Sequence, residues 1–119
     1  ARILGSDFDP EMIEGCRRNL PGPDVMVADA AAVPIRDSAI DAVVTDLPYG
    51  QSVRVRAESM DQLYDGSLAE IRRILRPGRR AVVVTNRDIT SSAACYFTIL
   101  QEHEQRVHKS LTRRILVLA

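Results

Sequence analysis

An apolar, β-branched run of strand length, Ala39-Ile40-Asp41-Ala42-Val43-Val44, stops abruptly against Thr45-Asp46-Leu47-Pro48-Tyr49-Gly50. Such a run marks a strand buried in a parallel sheet, and Pro with Gly ends it. A carboxylate, a proline and an aromatic ring therefore meet at the carboxyl mouth of a strand, where open α/β sheets bind their ligands. Pro48 fixes its own φ and drives Leu47 into an extended conformation, so the Leu47 carbonyl and the Asp46 carboxylate can point at one place. A neutral amine there would find two acceptors and the flat ring of Tyr49. A strand that merely ends in a Pro-Gly turn would show the same letters.

The rest of the chain alternates strand and helix. Residues 2–6 read as a strand and Asp7-Phe8-Asp9-Pro10 as its exit, with Asp9 as N-cap and Pro10 at the first helical position. The helix that follows places Met12, Ile13, Cys16 and Leu20 on one face, and Pro21-Gly22-Pro23 stops it. Asp24-Val25-Met26-Val27 is a second strand, followed by Ala28-Asp29-Ala30 and a loop through Pro34 to the central strand. Residues 51–56 are polar and basic without periodicity and predict a mobile loop. Over 58–75, Met60, Tyr64, Leu68, Ile71 and Leu75 form one helical stripe. Gly66 weakens that helix by about 1 kcal/mol relative to Ala and marks a point where it can break.

Arg76-Pro77-Gly78 ends this helix, and residues 80–85 read as another buried strand. Residues 91–104 predict a helix with Ala94, Phe97, Ile99 and Leu100 inward. Residues 104–109 and 113–118 predict a pair of strands joined around Ser110-Leu111-Thr112. This order predicts a mostly parallel sheet covered on both faces, with an antiparallel element at the end.

The length of 119 residues suits one domain. Sixteen basic and sixteen acidic residues cancel, so any footprint for nucleic acid has to be local. Cys16 and Cys95 are far apart and belong to no Cys-x-x-Cys pair, which predicts two reduced, packed thiols and a cytoplasmic protein. No apolar run approaches membrane-spanning length. The chain starts at Ala1-Arg2 and goes straight into a strand, which predicts a fragment whose natural beginning lies upstream.

Asp46-Leu47-Pro48-Tyr49 resembles the Asp-Pro-Pro-Tyr motif of amino methyltransferases, with Leu47 in place of the first proline. Those enzymes move a methyl group from S-adenosylmethionine to an exocyclic nitrogen of a base or a glutamine. The resemblance implies an α/β fold, the later part of a Rossmann-like class I S-adenosylmethionine-dependent methyltransferase. It implies a catalytic set of Asp46, Leu47, Pro48 and Tyr49, and cofactor contacts from Asp7, Phe8, Asp29, Ala30 and Asp46. Asp7 ends the first strand, where a nucleotide-binding sheet meets ribose hydroxyls, and Asp9 already serves as the helix cap. Phe8 covers one face of the adenine or belongs to the core. The resemblance implies that the Asp29 carboxylate meets the adenine amino group and the Ala30 N–H a ring nitrogen; an ordinary Asp turn is the other reading. Asp7, Asp29 and Asp46 occupy three successive strand ends, and the repetition says more than any one of them.

The first strand of that family ends in a glycine-rich turn, Asp-Pro-x-x-Gly-x-Gly, and no such turn occurs here. The resemblance spans the chain but only the later two-thirds of the family's catalytic domain, which implies half a cofactor pocket. The run Gln105-Arg106-Val107-His108-Lys109-Ser110-Leu111-Thr112-Arg113-Arg114, with Tyr49-Gly50-Gln51-Ser52, Arg54 and Arg56, resembles the archaeal tRNA guanine-N2 methyltransferases that modify position 10. Those carry a separate N-terminal RNA-binding (THUMP) domain, also missing here.

The resemblance thus implies methylation of the exocyclic N2 of a guanosine in tRNA, with tRNA as partner and neither metal nor membrane involved. A DNA adenine-N6 or cytosine-N4 methyltransferase is the alternative within the enzyme class. A non-catalytic nucleotide-binding or interaction module is the alternative outside it. His108 and Lys109 contact phosphate or form the solvated face of an edge strand. His103 and His108 lack Cys or acidic partners at ligand spacing, which argues against a metal site. Arg72, Arg73, Arg76, Arg79 and Arg80 suit a helix C-terminus, where the dipole favours cations.

Overall fold

The computed structural model describes residues 2–48 and 57–119; Tyr49, Gly50 and the loop expected over 51–56 lie outside the described residues. The order of elements is β1 (Leu4–Asp7), α1 (Pro10–Asn19), β2 (Asp24–Val27), β3 (Ile40–Asp46), α2 (Ala57–Ile74), β4 (Leu75–Thr85), α3 (Thr90–Ala94), β5 (Ile99–His108) and β6 (Leu111–Leu118). It reproduces the alternation expected from sequence.

α2 organises the core. Met60, Tyr64, Leu68 and Ile71 are buried on one stripe, as the 3.6-residue period requires, and Leu75 continues it from the first position of β4. They pack with Leu47, Ala81, Val83, Phe97, Leu116 and Leu118. The helix runs unbroken through Gly66. At Gly66 the chain of α2 approaches the loop after β2 so closely that an added Cβ would lie 3.1 Å from the Ala31 Cβ. Close approach, rather than a break, is what the absent side chain permits here.

The strands fall into two sheets: β1 pairs with β2 in parallel, and β3, β4, β6 and β5 form the second in that order. β3 and β4 are parallel, whereas β6 runs antiparallel to both β4 and β5. Between the sheets runs a cleft, with Leu4, Gly5 and Ser6 on one side and Ala42, Val43 and Val44 on the other. Ser67, Ile71 and Ile74 of α2 also line it. β3 is therefore an outer strand among the described residues rather than a buried central one, and Val44 is 79% exposed.

Other expectations are corrected. On α1 only Ile13 is buried; Met12 and Leu20 are exposed, because little but β1 and β2 lies beneath the helix. β4 begins directly after α2, and residues 76–79 bulge between the pairs Ile40–Leu75 and Ala42–Arg80, with Gly78 at φ +78°. The long helix expected over 91–104 is only the five residues of α3, with Ala93 rather than Ala94 buried. Residues 101–106 offer no apolar helical face, and pairing with the apolar β6 draws residues 99–108 into a strand. Both cysteines are free thiols, but Cys95 is exposed rather than packed.

Candidate active site at the strand ends

β1 ends in two linked aspartates. The Asp7 Oδ1 accepts the Asp9 N–H at 2.8 Å, and the Asp9 Oδ1 accepts the Glu11 N–H at 2.9 Å, capping α1. Asp7 is thereby oriented, while its second carboxylate oxygen finds no partner among the described residues. Phe8 is 76% exposed, which removes the core reading and leaves its ring open at the strand end.

Beyond β2 the chain turns tightly. The Asp29 Oδ1 accepts the Ala31 N–H at 2.9 Å, and the Asp29 carbonyl accepts the Ala32 N–H at 2.9 Å. One carboxylate oxygen thus makes the ordinary Asp turn, and the other is free among the described residues, as is the Ala30 N–H. The Ala28 N–H donates to the Asp7 carbonyl at 3.0 Å, so the two strand ends are tied to each other.

Residues no motif pointed to hold this loop against α2. The Glu70 carboxylate accepts the Val33 N–H. The Arg73 guanidinium donates to Glu70 at 2.6 Å, to the Val33 carbonyl at 3.0 Å and to Asp37 at 2.8 Å. Arg73 stands in the last turn of α2, as the sequence predicts, and there it also staples the helix to the loop. Arg76, similarly, joins Asp41 at 2.7 Å and the Ser38 carbonyl at 3.3 Å. Arg72 shares the last turn of α2, donates to the Leu75 carbonyl at 3.4 Å and lies 5.1 Å over the Phe97 ring, whereas Arg76, Arg79 and Arg80 belong to β4 and not to the helix end.

The hydrogen bond from Arg73 holds the Glu70 carboxyl below its usual value of 4.5; burial opposes this, while the Val33 N–H and the Arg73 charge assist it. Folding lowers this pKa, so the stabilisation is complete above about pH 4.5 and is lost as the pH falls through the depressed value. Glu70→Ala is expected to cost about 2 kcal/mol at pH 7, the worth of hydrogen bonds to a charged group. Urea unfolding of both proteins from pH 7 to pH 3 checks this, and the difference should shrink on the acid side.

At the third strand end, Asp46 closes β3, exposed, and its carboxylate makes no hydrogen bond or ion pair among the described residues. The next residues are pinned. The Leu47 N–H donates to the Val84 carbonyl at 2.8 Å, and the Leu47 side chain, 2% exposed, is in the core. The Pro48 carbonyl accepts the hydroxyl of Tyr64, a residue buried to 1% exposure on α2. Arg87, just past β4, lies 5.9 Å over the Tyr64 ring and 3.6 Å from Asp61. The Tyr64 hydroxyl thus takes up the Pro48 carbonyl, whereas the Leu47 carbonyl has no donor among the described residues.

Asp7, Phe8, Asp29 and Ala30 therefore gather at the ends of one sheet, and Asp46 to Pro48 stand at the matching end of the other, across the cleft. Tyr49 lies outside the described residues. What Tyr64, Glu70 and Arg73 hold in place is not legible in the sequence, because the Pro48 carbonyl, the Val33 backbone and Asp37 lie 16 to 40 positions from them, although Glu70 and Arg73 themselves pair at helical spacing. Nor does the sequence single out Asn86, one residue past β4, whose Oδ1 is buried without a partner among the described residues.

Residues 1–115 match the family described as RMKL-like, methyltransferase domain. The chain is 34% identical over 123 residues to tRNA (guanine(10)-N2)-dimethyltransferase of Methanothermobacter thermautotrophicus, covering 98% of this chain and 37% of that protein. It is 35% identical over 63 residues to mouse tRNA (guanine(6)-N(2))-methyltransferase THUMP3, covering 52% of this chain and 12% of that protein. In fold it matches TrmN from Thermus thermophilus with a TM-score of 0.75 at 19% identity, over 98% of this chain and 36% of that one. The chain thus spans little more than a third of its archaeal relative and much less of the mouse one.

Proposed function

This chain belongs to the RMKL-like methyltransferase domain family, and we propose that it is the later part of a catalytic domain that methylates the exocyclic N2 of a guanosine in tRNA. Two relatives named as tRNA guanine-N2 methyltransferases support the substrate. The observation that carries the reading is the set of three carboxylates at successive strand ends, each with an oxygen free among the described residues.

That donor and acceptor set fits S-adenosylmethionine, which supplies the methyl group when bound. The spare oxygen of Asp7 suits ribose hydroxyls, Asp29 and the Ala30 N–H suit the polar edge of adenine, and the open ring of Phe8 suits its face. Asp46 borders both cofactor and substrate. The glycine-rich turn and an N-terminal RNA-binding domain belong, in this proposal, to the longer protein.

A guanine in a stem leaves the stack at a cost of a few kcal/mol. Stacking on Tyr49 returns about 1–3 kcal/mol. The Asp46 carboxylate and the free Leu47 carbonyl accept the hydrogens of the amine, which aims its nitrogen and stabilises positive charge as it develops. Proton loss follows attack, so Asp46 need not be a strong base. The proposed setting is the cytoplasm; among the described residues no helix is long and apolar enough to cross a membrane.

The test incubates the full-length protein with S-adenosylmethionine and a tRNA transcript, then identifies methylated nucleosides by mass spectrometry. N2-methylguanosine is expected, and a transcript with inosine in place of guanosine, lacking the amine, should accept no methyl group. Methylation of the inosine transcript, or of DNA alone, would sink the reading.

A further inference from the structure

The hairpin of β5 and β6 reaches well past the rest of its sheet. β4 ends at Thr85, which pairs with Arg114, and Arg114 pairs with Glu104. Beyond that row the hairpin continues through Gln105–Arg113, Arg106–Thr112 and His108–Leu111 to a tip at Lys109 and Ser110. At about 3.3 Å per residue, four more residues project roughly 13 Å. Because Asp46 pairs with Val84, the projection leaves the sheet on the edge where Asp46 stands. β3 and β6 are separated by β4 alone, so the hairpin rises about 10 Å to the side of Asp46.

Its charge is one-sided. Residues 105–113 contain Arg106, Lys109 and Arg113 and no acidic residue, in a chain whose total charge is zero. Residues 105–110 are all exposed. Arg106 and His108 lie two residues apart on β5, and the pairing with β6 shifts register between them. The His108 Nδ1 accepts the Ser110 N–H at 3.3 Å, which in the neutral ring leaves the proton on Nε2 as a further donor.

We propose that this hairpin is a clamp for the sugar–phosphate backbone of the RNA beside the target nucleotide, with Arg106, His108 and Lys109 as its phosphate contacts. The proposal rests on the reading of the substrate given above and adds the surface that holds it. Phosphate contacts position a nucleic acid without reading its sequence, and cationic donors on a rigid ribbon suit that task. A projection beside the strand ends meets the backbone while the strand ends hold the base.

The experiment measures binding of a tRNA transcript to the full-length protein over a range of salt, for the unaltered protein, R106A/K109A and R106E/K109E. Each lost phosphate contact should flatten the log–log salt dependence by about 0.7–0.9, so the alanine pair should lose about 1.5 of slope. At low salt its Kd should rise about tenfold or more, and the glutamate pair should be weaker still. Affinity for S-adenosylmethionine should stay unchanged, and Arg18→Ala, on α1, serves as the charge control. Unaltered Kd and slope in both hairpin variants, with methylation of tRNA intact, would overturn the clamp and leave the function standing. Hairpin-dependent RNA binding without any methylation would support the clamp and sink the reading of function. A loss equal to that of Arg18→Ala would also overturn the clamp, as an effect of overall charge.

Discussion

Asp46→Ala in the full-length protein is expected to slow single-turnover methylation of a tRNA transcript by about one to two powers of ten, with cofactor affinity nearly unchanged. The size follows from a hydrogen bond to a charged group, worth about 1.5–3 kcal/mol when made only in the transition state. The Asp46 carboxylate is exposed at the end of β3 and engaged by no other group among the described residues, so removing it leaves no protein donor orphaned there. The neighbouring chain stays in place, held by the Leu47 side chain and by Tyr64 on Pro48. Asp46→Asn keeps an acceptor oxygen without the charge and should fall between Ala and the unaltered protein. At Tyr49, Phe should substitute well and Ala badly if the ring works by stacking. Each variant is assayed saturated in cofactor, and near-normal turnover by Asp46→Ala would reduce the motif to a strand end and a turn.

The 119-residue chain by itself is expected to bind S-adenosylmethionine at least about 100-fold more weakly than the full-length protein, a difference of about 2.8 kcal/mol. Asp7, Phe8, Asp29 and Ala30 sit on the two-stranded sheet, and Asp46 sits on the other side of an open cleft. Among the described residues no strand pairing fixes one group relative to the other, so binding has to supply the order that a continuous sheet would provide beforehand. Calorimetry giving micromolar affinity for the short chain would contradict this. In the full-length protein Asp7→Ala should weaken binding far more than Asp9→Ala. The Asp9 carboxylate is committed to the cap of α1, and its loss should cost about 1 kcal/mol of stability instead.

What the sequence reveals and what it hides divide along physical lines. The α2 stripe was legible because Met60, Tyr64, Leu68 and Ile71 recur at helical spacing and one face carries the burial. The Asp9-Pro10 start of α1 was legible because capping is a local affair. Residues 99–104 read as helix because their conformation is decided by β6, 10 to 19 positions away in the chain. The exposure of Met12 and Leu20 was invisible for a related reason, since a pattern shows which face a helix offers and not what covers it. The positions of the three strand-end aspartates are legible from the strand pattern, whereas the backbone groups that Glu70, Arg73 and Tyr64 hold lie in distant segments, and the helical spacing of Glu70 and Arg73 does not reveal them.

The two borders of the four-stranded sheet are unlike. Along β5 the chain carries Glu102, His103, Glu104, Arg106 and His108, all exposed, and such charges deter a foreign strand from docking. Along β3 the exposed charges are Asp41 and Asp46 towards its two ends, and Ala42, Val43, Val44 and Thr45 between them deter nothing. Among the described residues, the four-stranded sheet is therefore adhesive along one of its two borders. Association should grow with concentration through β3, and a single lysine at Val44 should suffice to keep the chain monomeric in sedimentation, while an added charge on β5 should change nothing.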